Sequence, residues 1–171
     1  MYYIIGQIMG IIAVVLGFIS FQMKTKQGIL IFQILTAFVF SIHYLLIGAM
    51  TAVGLNLLSA VKSICYYYRD KKNDKGVLVP IIFISLISLS GFLTWEGWYS
   101  ALVMIGLIIN AFSLAFFDAN RIRISNFIKS PICLIYNFIV NSGGGIIYEC
   151  AVLISSLIGI LKTSKYNKES T

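Results

Sequence analysis

The sequence predicts an all-α membrane protein of seven transmembrane helices. Three observations predict it. The 171 residues are 59% hydrophobic and 11% charged, with a mean hydropathy of +0.93, whereas a soluble domain carries about 25% charged residues. Long runs hold no charge: Met1–Met23, Gln27–Val61, Gly76–Trp95, Gly97–Phe117 and Ser130–Tyr148, followed by Cys150–Leu161. One pattern also recurs. The stretch Thr51–Tyr68, TAVGLNLLSAVKSICYYY, returns at an offset of 93 residues within SGGGIIYECAVLISSLIGILK, Ser142–Lys162.

A spanning helix needs roughly 20 apolar residues. Gln27–Val61 is too long for one span and divides near Gly48–Thr51. The predicted helices are therefore 3–21, 29–47, 51–68, 78–95, 99–117, 127–141 and 145–162. Orientation follows from the thirteen basic residues, which run from Lys24 to Lys168. All are assigned to the first, third and fifth loops or the C-terminal tail, or to within about two turns of them. The N-terminus and the turns at Gly48–Thr51, Glu96–Trp98 and Asn141–Gly145 carry none. The positive-inside rule then puts the N-terminus outside and the C-terminus in the cytoplasm, which requires an odd number of spans. The net charge of +7 is a topology signal, with attraction to anionic lipid as a by-product. Split among short separate loops, it does not form a nucleic-acid surface.

Helix 1 carries Gly6, Gly10 and Gly17, and the last two share one face, as suits close helix packing in lipid. Met1–Met23 has no basic leading segment or small-residue cleavage site, so it reads as a retained helix. Helix 2 holds the only histidine, His43, followed by Tyr44. The plainer reading of His43 is a hydrogen-bonded packing residue near the outer interface; the functional one is solute or proton binding. Helix 3 places Asn56 and Ser63 seven apart on one face. The basic run Arg69–Lys75 reads as a solvated cytoplasmic turn. Helix 4, with Pro80 in its first turn, has no counterpart in the repeat and serves as the inversion helix. Helix 5 gives Gly106, Asn110 and Ser113 on one face, and an offset of 96 matches Gly106 to Gly10. Helix 6 is expected to begin near residue 127, with Pro131 in its first turn and Tyr136 and Asn137 matching His43 and Tyr44 at offset 93. In helix 7 the same offset puts Glu149 on Asn56 and Ser156 on Ser63.

The chain thus divides into a first three-helix repeat (1–68), a basic loop with a linker helix (69–98), a second repeat (99–162) and a cytoplasmic tail (163–171). An amide and a carboxyl group are costly in hydrocarbon, so Asn56 and Glu149 are expected to face protein or water. Glu149 is the only carboxyl group predicted inside a span. With every lysine and arginine assigned to the opposite face, no cation is expected beside it. Cys65, Cys133 and Cys150 all fall inside predicted helices without ligand-like spacing and read as packing residues. Tyr66–Tyr68, Trp95, Trp98 and Tyr99 read as an aromatic belt. No metal-ligand cluster or cofactor motif is expected.

A three-plus-one-plus-three plan with parallel repeats looks like the SWEET and PQ-loop transporter architecture. More closely, the chain resembles the YgjV family of bacterial inner membrane proteins over nearly its whole length. The residues carrying this are GIIAVVLGFISF (10–21), HYLLIG (43–48), Asn56 within GLNLLSAVKS, and NSGGGIIYE (141–149). The resemblance implies a multi-pass protein of the bacterial inner membrane. SWEET-type carriers place an asparagine in the third helix of each repeat. Asn56 matches it, and Glu149 stands in its place in the second copy.

Two functions fit. The first is a small polar-solute, sugar-like carrier working by alternating access, with Asn56 and Glu149 lining a central site and His43, Tyr44, Tyr136, Asn137 and Asn110 around it. The second is a non-transporting receptor or scaffold of the same fold. An enzyme is poorly supported, because the chain has one histidine and no paired carboxylates. The partners expected are the lipid bilayer, a small polar solute and, for assembly, further copies of the same chain.

Overall fold

Long apolar runs fold here as helices. The computed structural model describes residues 2–46, 50–93, 95, 97–139 and 143–169. Among the described residues there are seven helices and no strand. They are α1 (Tyr2–Ser20), α2 (Lys26–Leu46), α3 (Met50–Lys71), α4 (Leu78–Leu93), α5 (Ser100–Phe116), α6 (Ala119–Ile139) and α7 (Gly143–Glu169). Gly48, Glu96, Asn141 and Ser142, assigned above to turns, lie outside the described residues.

The chain forms two compact units, Met1–Asp74 and Lys75–Thr171. In the first, α2 packs against both α1 and α3. Thr25 opens α2 by accepting a hydrogen bond from Gly28 N at 3.1 Å, which satisfies one of the helix's unpaired amides. Ser20 Oγ donates to Ile29 O at 3.0 Å across the α1–α2 turn. Lys26 and Asp70 pair at 3.5 Å and join the start of α2 to the end of α3. The basic run Arg69–Lys75 is an exposed turn only from residue 72 on. α3 continues to Lys71, and Asn73 closes it with φ 52°. Asn73 N donates to Asp70 O and Asp74 N to Arg69 O, the paired bonds of a left-handed helix cap.

In the second unit α4 packs on α5, α5 on α6, and α6 on α7. Pro80 is the third residue of α4 and needs no kink there. α6 differs most from expectation. It begins at Ala119, because Asp118 Oδ1 accepts from Arg121 N at 2.8 Å and caps the helix. Pro131 therefore lies inside α6 and not in its first turn. Its missing N–H leaves the Phe127 carbonyl without the usual intrahelical donor. α7 continues past Lys162 to Glu169, so most of the expected tail is helical.

Burial does not follow polarity along several of these helices. Ile128 is 59% exposed and its neighbour Lys129 is 9% exposed. Lys62, Arg69, Arg123, Asn126 and Glu149 are buried, while Ile11, Leu35, Phe38, Phe127, Ile135 and Phe138 are exposed. A water-soluble fold shows the reverse, since charged residues are almost never fully buried there unless paired. Polar side chains within helices bond backwards to their own backbone: Thr36 to Phe32 O, Ser41 to Ala37 O, Ser63 to Ser59 O, Thr163 to Gly159 O. Such bonds satisfy hydroxyls where no water is at hand. Two windows, Lys26–His43 and Ile146–Thr163, are long and apolar enough to cross a membrane by length and composition.

Candidate functional site

Three helices of the second unit meet at one buried charge pair. Lys129 is the middle residue of the 21-residue α6, about 15 Å from either end at roughly 1.5 Å per residue. Its Nζ donates to Glu149 Oε1 at 3.1 Å, and Glu149 is 6% exposed. α5 contributes Gly106. A Cβ there would overlap the Cys133 sulfur and touch Lys129 Cγ at 3.5 Å, so only glycine lets α5 approach this closely. Cys133 stands one turn along α6 from Lys129 and is buried; its thiol lies beside the carboxylate. Tyr148 is also within electrostatic reach of Lys129. The second carboxylate oxygen, Oε2, is buried and makes no hydrogen bond of ordinary geometry. The buried hydroxyls of Ser130 and Ser156 likewise make none.

This pair corrects the expectation that Glu149 has no cation beside it. The span rule placed the start of helix 6 after its arginines and so put Lys129 at the membrane edge. The helix starts eight residues earlier, and Lys129 sits at mid-length with its charge turned inward. Glu149 is correspondingly the seventh residue of α7, about 9 Å from its start. Arg123, assigned to a loop, is also buried and donates from Nη1 to Thr163 Oγ1 at 3.2 Å. Cys150 is exposed on α7, so it is not the packing residue expected; Cys133 is.

The other candidate residues are dispersed. His43 Nδ1 lies 2.7 Å from Gly6 O and packs over Gly10, where a Cβ would stand 3.1 Å from that nitrogen. These contacts are those of a hydrogen-bonded packing residue. Asn56 is half-buried on α3, and Ser63, on the same face, is buried. Asn137 Nδ2 donates to Cys133 O at 2.9 Å, inside its own helix. Tyr136 is half-buried, with its ring 6.2 Å from that of Tyr99. Asn110 is half-buried, and its carbonyl accepts from Ser113 Oγ. Glu149 and Ser156 are both buried on one face of α7. The Tyr44 side chain lies outside the described residues. Of the expected set, the second unit centres on Glu149, and Lys129 and Cys133 were not among the candidates. The signal for them was present: Ile122, Arg123, Asn126, Lys129, Ser130 and Cys133 recur at helical spacing, and all are buried. Among the described residues no cluster of His, Cys, Asp or Glu could hold a metal ion.

The family model of bacterial inner membrane proteins named Imp-YgjV matches residues 4–167. The chain matches no curated protein and no solved structure. With nearly its whole length covered, the chain belongs to the Imp-YgjV family and is a multi-pass protein of the bacterial inner membrane.

Proposed function

We propose that this inner membrane protein is a carrier of small polar solutes, built from two parallel three-helix repeats joined by α4. The observation that carries the reading is the Lys129–Glu149 pair. A buried ion pair is a poor stabilising device, because desolvation offsets most of the attraction. Ionisable groups inside a membrane bundle most often mark a solute or ion pathway. The repeat is supported by the helix bounds. An offset of 93 carries Lys26–Leu46 onto Ala119–Ile139 and Met50 onto Gly143. Under it Lys129 corresponds to Thr36 and Glu149 to Asn56, so one copy holds an ion pair where the other holds neutral polar residues. Seven spans, an outer N-terminus and alternating access complete the proposal.

A receptor or scaffold is the second reading, favoured by His43, Ser63 and Asn137, whose polar atoms bond inside the bundle. Uptake separates the two. Purified protein in liposomes is offered labelled glucose, sorbitol, lactate and alanine. A carrier takes up at least one faster than empty liposomes do, and Lys129→Gln/Glu149→Gln abolishes that uptake. No uptake of any of the four supports the receptor or scaffold.

A further inference from the structure

We propose that the Lys129–Glu149 pair is a proton-gated site for a small carboxylate solute. Protonation of Glu149 frees the Lys129 ammonium, and a solute carboxylate takes the place of the Glu149 carboxylate beside it. The proposal rests on the carrier reading above and names its solute class and its coupling.

Charge balance drives the inference. Lys129 and Glu149 are both buried and together neutral. A buried ammonium left alone is strongly unfavourable, and so is a second bare anion beside the pair. Two arrangements that keep the Lys129 ammonium satisfy both limits. In one, Glu149 is ionised and occupies Lys129. In the other, Glu149 is neutral and a solute anion occupies Lys129. The proton arrives on the carboxylate, whose Oε2 makes no hydrogen bond of ordinary geometry. Once protonated, that oxygen becomes a donor to the solute. The Nζ–Oε1 ion pair is exchanged for an Nζ–solute pair. The site is neutral before and after, so one proton enters with each anion.

The surroundings favour an anion over the alternatives. Cys133 on α6 and Tyr148 on α7 are the other titratable groups that face the pair. α4 and α5 carry no titratable side chain. A cation would need a carboxylate in excess, but the other acid described at α6, Asp118, is exposed and caps the helix. A neutral sugar would need free amides, but Asn126 and Asn137 donate to Ile122 O and Cys133 O of their own helix.

Acetate, the probe, is added to detergent-purified full-length protein while the thermal midpoint is followed at about pH 5 and about pH 8. For wild type, acetate raises the midpoint at the lower pH, and its apparent affinity falls as pH rises, by up to about tenfold per pH unit for one proton taken up with each anion. Glu149→Gln has a lower midpoint without acetate, and acetate raises it equally at both pH values. Lys129→Gln/Glu149→Gln, which leaves no buried charge at the pair, folds and does not respond. In infrared difference spectra, acetate adds a protonated-carboxyl band to wild type that Glu149→Gln lacks. Stabilisation of wild type that is absent, equal at both pH values, or kept by the double variant overturns the proposal. Liposome flux tests the carrier reading separately. Sugar uptake without an acetate response keeps the carrier and removes the proton-gated site. A pH-dependent acetate response without solute flux keeps the site and removes the carrier.

Discussion

Lys129 and Glu149 show how differently one residue and a pair behave in an apolar bundle. Removing one partner leaves a buried charge, and Lys129→Gln should destabilise by about 3–5 kcal/mol. Lys129→Gln/Glu149→Gln should recover most of that, because two neutral amides can hydrogen-bond where two charges stood. Denaturant titration in detergent micelles checks this; a loss in the double variant equal to the sum of the Lys129→Gln and Glu149→Gln losses would show that the charges do not interact. Gly106 is held to glycine by the Cys133 sulfur. Gly106→Ala should cost about 1–3 kcal/mol through overpacking. Gly106→Ala/Cys133→Ala should cost less than Gly106→Ala alone, since the second change removes the atom in the way. A double-mutant cycle with no coupling would mean that α5 does not meet α6 there.

At the scale of elements, two caps account for helix ends that hydropathy misplaced. Asp118 accepts from Arg121 N and lets α6 begin before its arginines. Asp118→Ala should lower stability by about 1 kcal/mol, and Asp118→Asn by less, because asparagine also caps well. Asn73 holds φ 52° at the end of α3. Asn73→Gly should be neutral or mildly stabilising, while a β-branched Asn73→Val should cost about 1–2 kcal/mol. Thermal melts of the four variants rank them, and a silent Asn73→Val would remove the left-handed cap. Both caps were visible in the sequence as an Asp before a helical run and an Asn after one. Hydropathy passes over them because it treats charge as the boundary of a span.

Across the whole molecule, topology is the property most open to direct test. Single cysteines in a chain freed of its own three are probed with a membrane-impermeant maleimide in intact cells and in inverted vesicles. Lys72→Cys and Arg121→Cys, both at exposed positions, should label only in inverted vesicles. Trp98→Cys, 69% exposed in the parent residue, should label only in intact cells. Labelling of positions 72 and 121 from opposite sides would break the parallel-repeat proposal. Arg123 is unsuited to this use, because it is buried against Thr163.

The sequence alone determined the all-helical class, the number of helices and, for α1 to α5, their extents to within about three residues. Apolar run length is a local property, and lipid thickness converts it into helix length with no knowledge of partners. It also marked Glu149 as out of place, since a carboxyl group in an apolar run is costly whatever surrounds it. What it missed was that a lysine would answer that cost. A hydropathy reading counts Lys129 as a reason to end a span, whereas the fold turns the same ammonium inward to a carboxylate on the next helix. α3 and α6 both carry buried charges, with Lys62, Arg69, Arg123 and Lys129 buried while Leu57 and Val61 of α3 and Phe127, Ile128 and Ile135 of α6 face out. Residue pairing across helices depends on the side each helix presents to its neighbour. Only tertiary packing settles that, which is why Gly106, Cys133, Lys129 and Glu149 become one site in the structure and four unrelated residues in the sequence.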